Sequence, residues 1–523
     1  MIERFSNARE LENARRRISE LIEAHGEWFY TSGAGAAPTL LRRAEIDFQV
    51  SHGRLILSCW GDRGAQSWRV VGLEVTDGKL LLEATRRMGG ERAVLELIPR
   101  ASVNEIMATV GDARRRRCKL LSRLACAMAR GAKVESAALS TGARRSQPGR
   151  YARILLRLSA ERIAVTGVVA ETDGYETDAF LSSALVWFAR TSEKSLPPHT
   201  RKLWLIVRQE ETEPTRQRLA LLRDDVRRAI TLYERDGAWQ ELTPVPRLRR
   251  EQLWTEHPAR LRSPRAEARI SEQAASIAAL APGAIDVVRV GHGETLRFHG
   301  LPFARTRRLM NNERIWFGVE GSRRRRLLEE GTAQEWLKLL RELQEHRRAD
   351  TDDHRHAFYK ALPEAWLESL LRRDITKLDP GLIIAPIHAQ FRASHERGSG
   401  AGGAAARPID LLALRRDGRL VVIELKVSED REHVLQGADY WRRVEAHRRL
   451  GHITRARLFG DAVIRDEPPL VYLVAPTLRF HRSFRTLARM IAPDIEIYRF
   501  DINEDWRAGV RVMRREALNT NRS

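Results

Sequence analysis

The chain has 523 residues, 43% of them hydrophobic, and 91 Lys plus Arg against 69 Asp plus Glu leave a formal charge of +22; that is length for about three domains, or two large ones, with real cores. No run approaches the ~20 apolar residues of a membrane span, and the opening MIERFSNARELENARRR mixes acids with bases, so the expectation is a soluble, cytoplasmic protein with no membrane partner. Cys59, Cys118 and Cys126 make neither a disulfide framework nor a zinc ribbon and fit a reducing compartment.

In chain order, the spacing of Leu11, Ile18 and Leu21 predicts a helix from Asn7 to about Ile22. Strand-like alternation follows from Glu45 to about Arg100, with turns at His52 to Arg54 and Thr76 to Lys79. An Arg-rich helix is expected from about Asp112 to Arg130, then strands near Val134, at Ile154 to Leu158 and at Ile163 to Val169. A helix through Trp187, a strand at Leu203 to Val207, a long helix from about Pro214 to Ala229 and a strand at Ile230 to Tyr233 complete this half. Thr243 to Arg265, with four prolines and little periodicity, reads as a linker.

The second half repeats this order of elements. A helix over 266–281 answers the N-terminal one, Ala284 to Phe298 answers Ala44 to Ser58, and the helix Pro363 to Ile375 answers the one near Asp112. Asp410 to Val427 answers Ile154 to Val169, and IEIYRFDINEDW (Ile495 to Trp506) answers ITLYERDGAW (Ile230 to Trp239). The offset drifts from 239 at Ile46 and Ile285, through 257 at Arg162 and Arg419, to 267 at Trp239 and Trp506. Steady drift is what loop insertions in a duplicated chain produce; two similar αβ alternations arising independently is the competing explanation. The expected organisation is a helix plus β-rich domain (1–104), an αβ domain (105–242), the linker (243–265), a second helix plus β-rich domain (266–350) and a C-terminal αβ domain (351–523).

One segment carries chemistry. Asp410 opens an apolar strand, the turn Arg415 to Gly418 reverses the chain, and Leu420 to Val427 returns. Period-2 geometry puts Leu420, Val422, Glu424 and Lys426 on one face and Val421, Ile423, Leu425 and Val427 on the other. A carboxylate and an ammonium on a strand this apolar cost several kcal/mol unless paired or satisfied by a cation. The hairpin brings Asp410 toward Glu424, and two hard carboxylates suit Mg²⁺ or Mn²⁺. Only nine of the 91 basic residues are lysine, which sets Lys426 apart; an ordinary buried Glu424–Lys426 ion pair is the plainer alternative.

Asp410, thirteen intervening residues, Glu424, one residue and Lys426 resemble the PD-(D/E)XK nuclease superfamily. Gln436 and Tyr440 fit the QxxxY signature of its RecB-like branch, and DGRLVVIELK is similar to NucS-type endonucleases. The resemblance spans about 360–510. It implies a restriction-endonuclease-like mixed sheet flanked by helices, cleaving DNA with Mg²⁺ or Mn²⁺. Asp410, Glu424 and the backbone carbonyl of Leu425 would hold the metal, and Lys426 would position or help deprotonate the attacking water. Glu368, with Glu364 as its competitor one turn earlier, matches the acid on the helix before the core sheet. Gln436, Tyr440, Arg443 and Gln390 would meet the substrate.

The fold class expected is therefore α/β, with the nuclease-like core preceded by a degenerate duplicate of the same body. Laying the halves together puts Ile154, Gly167 and Val169 where Asp410, Glu424 and Lys426 stand, so the first half would lack chemistry, with Glu171, Asp173 and Glu176 as its nearest acids. The two halves would form an intramolecular pseudo-dimer, unless the chain forms a homodimer. The arginine excess suits a DNA backbone or reflects a GC-rich coding bias. His354 and His356 read as a solvated linker, and Gly398 to Ala406 as a loop. A catalytically silent nuclease fold that binds DNA or acts as a scaffold, and a basic protein that meets RNA or acidic partners, are the alternative functions.

Overall fold

The computed structural model describes residues 3–5, 7–31, 39–61, 64–76, 79–86, 91–100, 103–141, 148–159, 161–170, 177–194, 199–254, 270–290, 293–309, 312–319, 325–385 and 409–519. They fall into two units, Met1–Ala113 and Arg114–Ser523. Among them no helix is long and apolar enough to cross a membrane.

In the first unit β1 (Glu3–Arg4) leads to α1 (Ala8–Glu23), capped by the Asn7 side chain, which accepts from the Glu10 N–H. Then come β2 (Glu27–Thr31), β3 (Thr39–Arg42), β4 (Ile46–Ser51), β5 (Arg54–Gly61), β6 (Gly64–Thr76), β7 (Lys79–Arg86) and β8 (Glu91–Pro99). They pair antiparallel in the order β3-β2-β8-β7-β6-β5-β4, with β1 on β6. Alternate residues such as Leu55 and Leu57 bury against Leu11, Ala14, Ile18 and Ile22 of α1, the half-buried pattern that period-2 sequence dictates. The His52–Gly53 turn stands where expected, with both residues at positive φ; Asp77 and Gly78 lie outside the described residues.

The second unit takes over inside α2 (Val103–Met128). A first αβ body follows: β9 (Lys133–Thr141), β10 (Pro148–Leu158), β11 (Glu161–Val168), α3 (Thr177–Lys194), β12 (His199–Arg208), α4 (Gln209–Leu219), α5 (Asp224–Ala229), β13 (Ile230–Arg235) and β14 (Leu242–Val245). Next, α6 (Glu272–Ala279) precedes an antiparallel meander of β15 (Ile285–Val290), β16 (Gly293–Phe298), β17 (Leu301–Leu309), β18 (Asn312–Phe317) and β19 (Arg326–Leu327), then α7 (Ala333–His346) and α8 (Ala357–Lys360). The last body comprises α9 (Pro363–Arg373), β20 (Leu382–Ile384), β21 (Leu411–Arg415), β22 (Leu420–Leu425), α10 (His433–Arg449), α11 (His452–Arg455), β23 (Leu470–Pro476), α12 (Phe484–Ala488), β24 (Ile497–Ile502) and β25 (Val512–Ala517).

The two αβ sheets share one topology. In each, six strands lie in chain order, the first three antiparallel, the third to fifth parallel and the sixth antiparallel. The register differs from the sequence alignment by one residue. Ile154 pairs with Val165 and Leu411 with Ile423; the first pair faces α2 and the second faces α9. The preceding cross-strand pair, Arg153 and Thr166, therefore answers Asp410 and Glu424, and Val168 answers Lys426. Ile154 and Gly167 point to the opposite face, because a one-residue slip in a period-2 strand inverts every side chain. Arg153, Thr166 and Val168 still offer no carboxylate. Glu171, Asp173 and Glu176 lie outside the described residues, as do Gly398 to Ala406 of the glycine-rich stretch.

Three further expectations change. The long helix from Pro214 is two helices, α4 and α5, with Pro214 inside the first. Between them Leu222 forms an antiparallel bridge to Ile491, with Arg223 N–H donating to Met490 O (2.8 Å) and Ala492 N–H to Leu221 O (2.9 Å). The start of the expected linker is β14, an edge strand, followed by Leu253 and Trp254 packed in the core shared by both bodies. The third changes in part: His354 is exposed in a turn, as a solvated linker requires, while the half-buried His356 stacks on His346.

That shared core joins Phe180, Leu181, Leu185, Leu205 and Ile230 of the first body to Val434, Leu435, Leu473, Leu487 and Ile497 of the second. Matching elements thus meet face to face, as in an isologous dimer. A buried ion network crosses the same contact: Arg218 of α4 reaches Asp178 of α3 (3.1 Å) and Asp439 of α10 (3.0 Å).

The meander is joined to α9 by Ser369 and Arg373, which both bond Asp286, and to the chain before α9 by one arginine. Arg347 is fully buried and donates to the carbonyls of Phe298 (2.9 Å), His299 (2.8 Å), Phe358 (2.6 Å), Ala361 (2.7 Å) and Leu362 (3.5 Å). Its guanidinium also lies 4.8 Å from the Trp366 ring centroid, and burial lowers its pKa to about 9. Beside it Gly300 has φ +79° and an added Cβ would sit 2.0 Å from Ala365 O, so only glycine fits. Arg347→Met should destabilise this unit by about 3 kcal/mol or more, since it orphans buried carbonyls; a loss under about 1 kcal/mol in denaturant titration would contradict this account of the joint.

His299 stacks on Trp366 (5.1 Å), and burial, then Arg373 and Arg347, lower its pKa to about 4. The native state keeps the ring neutral while the unfolded chain takes up a proton below about pH 6.5. Its contribution is complete above that pH and falls as pH drops toward 4, by about 2 kcal/mol at pH 5. His299→Gln should flatten the loss of stability between pH 7 and pH 5 by about that amount, measured as denaturant midpoints at both pH values; an unchanged slope would contradict the assignment.

Candidate active site

β21 and β22 are central strands, and their apolar residues leave room for few charges. Leu420 and Val422 pack with Tyr440 and Val444 of α10, while Val421, Ile423 and Leu425 pack against Trp366, Leu367 and Leu371 of α9. Glu424 shares the α10 face, as its alternation requires, and is 2% exposed. Asp410 directly precedes Leu411, the cross-strand partner of Ile423, so it falls opposite Glu424. Its Oδ2 accepts the Leu425 N–H at 2.8 Å, which pins the carboxylate at the strand end.

Lys426 Nζ donates to Glu424 Oε1 at 2.8 Å and lies 3.5 Å from Asp430 Oδ2. Burial raises the pKa of both carboxylates, and Glu424 beside Asp410 raises that of Asp410 further. Burial alone would lower the Lys426 pKa, but Glu424, Asp410 and Asp430 hold it above the usual lysine range. Glu424 and Asp430 therefore share one ammonium, with Asp410 near enough to act on it.

Glu368, on α9, is close enough to raise the pKa of Asp410. Arg372 ties the two together, with Nε donating to Glu368 Oε1 (2.7 Å) and Nη2 to Asp410 O (2.9 Å). For Glu364, in the first turn of α9, no such link to Asp410 is seen. On α10, Gln436 and Tyr440 are both buried. The Tyr440 hydroxyl is near enough to Glu424 and Asp410 for them to raise its pKa further beyond the effect of burial. Gly437 lets the helix approach β23: a Cβ there would sit 2.6 Å from Leu473 Cδ2. Arg443 is held by Asp439 (2.6 Å) and covers the Tyr440 ring (5.6 Å). Burial would raise the Asp439 pKa, but Arg218, Arg443 and Arg442 hold it well below the carboxylate range. Gln390 lies outside the described residues.

Sequence reasoning missed Asp430 and His433. His433 Nε2 donates to Glu424 O at 3.2 Å, and burial lowers its pKa to about 3. The acidic run SEDREH after Lys426 was the available signal for both.

The donor set fits a small hard cation. Glu424 Oε2, Gln436 Oε1 and Arg443 Nη1 are buried with no hydrogen-bond partner among the described residues. No group of three or more His, Cys, Asp or Glu there is arranged to hold a metal, so a cation here would have two carboxylates, with backbone, water and substrate oxygens completing the shell. That is the mode Mg²⁺ prefers.

No family model matches the chain, and no curated protein matches it. A solved structure described as EndoMS in apo form is similar over 40% of this chain and 88% of its own, at 12% identity and a TM-score of 0.13. A likeness at that level fixes neither fold nor function.

With the metal absent, Asp410→Asn removes one of two adjacent like charges and keeps an acceptor for the Leu425 N–H. It should leave metal-free stability unchanged or raise it by about 1 kcal/mol. Mg²⁺ or Mn²⁺ should raise the melting temperature of the wild type and leave that of the variant unmoved. A destabilised variant that still responds to metal would contradict this reading of the pair.

Proposed function

We propose that the protein is a metal-dependent deoxyribonuclease that hydrolyses phosphodiester bonds with a single centre in its last αβ body. The observation that carries this is the trio of a buried Glu424 with half-buried Asp410 and Lys426 at the ends of adjacent strands, which binding alone does not require. Asp410 and Glu424, with the Leu425 carbonyl, would hold Mg²⁺ or Mn²⁺. A divalent cation there supplies Lewis-acid polarisation of the phosphate and a more acidic water at neutral pH.

The chain's own groups do the rest. Lys426 orients the attacking water and offsets negative charge growing on the phosphorus oxygens. Its bond to Glu424 aims the ammonium at the place where that charge develops. Glu368, braced by Arg372, borders Asp410 as a holder of water or of a second ion. Gln436, one turn before Tyr440 on α10, offers a buried Oε1 with no partner among the described residues, and the Tyr440 hydroxyl lies near Glu424 and Asp410. Arg443, fixed by Asp439, brings positive charge toward the DNA backbone.

Purified protein incubated with supercoiled plasmid should cut in Mg²⁺ or Mn²⁺ and not in EDTA. Nicked circles should precede linear product, because one centre cuts one strand per encounter. Glu424→Ala and Lys426→Ala should each abolish cleavage while holding DNA affinity within about tenfold, since phosphate contacts dominate binding. Full activity in either variant would overturn the proposal.

A further inference from the structure

The position that answers Asp410 in the first body is occupied by Arg153. Its guanidinium is half-buried, its contacts a 3.5 Å hydrogen bond to Ser183 Oγ and the Trp187 ring at 5.8 Å. Both partners are on α3, the helix that packs against the second body. No carboxylate among the described residues pairs with it. A substitution that only retired a metal site would favour a small or apolar residue in a half-buried pocket; a cation there carries a desolvation cost and needs an anion.

The charges that act on Arg153 are both positive and come from both bodies. Arg153 interacts with Arg190 at the end of α3 and with Arg431 in the segment between β22 and α10. His481, before α12, senses Arg431, Arg482 and Arg190, with Glu429 as the acid on that side. Arg190, Arg431 and Arg482 are exposed. Arg431 follows Asp430, which contacts Lys426, so the cluster begins one residue from the candidate active site and extends onto the first body.

We propose that Arg153, Arg190, Arg431 and Arg482 form a site for backbone phosphates of DNA flanking the scissile bond, so that the chemically inert body is a substrate-binding element. This rests on the nuclease reading for its biological sense and on binding alone for its test. The vestigial centre has exchanged a carboxylate that would hold a cation for a guanidinium that holds an anion. Phosphate oxygens suit it, since guanidinium binds them through paired N–H donors.

The experiment measures the affinity of the full chain for fluorescent duplex and single-stranded oligonucleotides in EDTA over a range of salt. Arg153→Gln and Arg190→Gln should each weaken binding about tenfold and reduce the slope of log affinity against log salt by about one. Arg153→Lys should recover most of the affinity, and Arg341→Gln, on exposed α7 surface, should match wild type. Exposed Arg190 keeps the test valid if Arg153→Gln misfolds. Wild-type affinity and slope in Arg190→Gln together with a folded Arg153→Gln would overturn the proposal, and so would a wild-type chain that does not bind DNA. Weakened binding by both variants in a protein that cuts nothing with any metal would sustain the phosphate site and remove the catalytic reading.

Discussion

Two acidic side chains set opposite each other across a hairpin, Glu424 buried and Asp410 half-buried, with Lys426 bonded to the first, are the constraint on which the rest of the site depends. Asp410 directly precedes β21, Glu424 lies in β22, whose other residues are apolar, and Lys426 offsets one charge. Like charges brought this close repel, and burial adds its own cost, which is why both acids have raised pKa values. The protein does not relieve this by spreading donors over the pair: Glu424 Oε2 has no donor among the described residues, and Asp410 has the Leu425 N–H. On the proposed reading, a divalent cation would turn this repulsion into attraction.

The duplicated architecture explains why such a pocket can be held rigid at the edge of a body. α3 and α10 bury a common core, Leu222 bridges Ile491, and Arg218 reaches across to Asp439. Asp439 in turn fixes Arg442 and Arg443 on the helix that carries Gln436 and Tyr440. The first body thereby steadies the helix that borders the candidate centre. Its own third strand carries Thr166 and Val168 at the equivalent places, so one half keeps the acids and the other keeps the fold. The buried Arg347 plays a comparable part on the other side, tying the meander to the chain leading into α9, where Glu368 stands.

What was legible in the sequence follows from physical period. Alternation along Leu420 to Leu425 put Glu424 on one face with Leu420 and Val422, as the structure has it, because a two-residue repeat in an apolar strand admits one answer; which helix covers that face was not read. The same rule failed between halves: Ile154 to Val169 has no charged pair to anchor the alignment, and a slip of one residue changed which face was compared. The break between α4 and α5 was hidden because Leu221 and Leu222 suit a helix as well as the interbody bridge that claims them. Arg218 with Asp439, 221 positions apart, and the five carbonyls around Arg347 depend on tertiary proximity that no local pattern records. Asp430 and His433 lay within a few residues of the trio, yet in a loop-like acidic run their direction was undetermined.

The central claim is that metal binds at Asp410 and Glu424 and nowhere equivalent in the first body. Anomalous diffraction from crystals grown with Mn²⁺ tests it directly. The account predicts a peak about 2 Å from carboxylate oxygens of both Asp410 and Glu424, with none beside Arg153, Thr166 and Val168. Absence of a peak at the carboxylate pair in fully Mn²⁺-loaded crystals, or a peak in the first body, would contradict it.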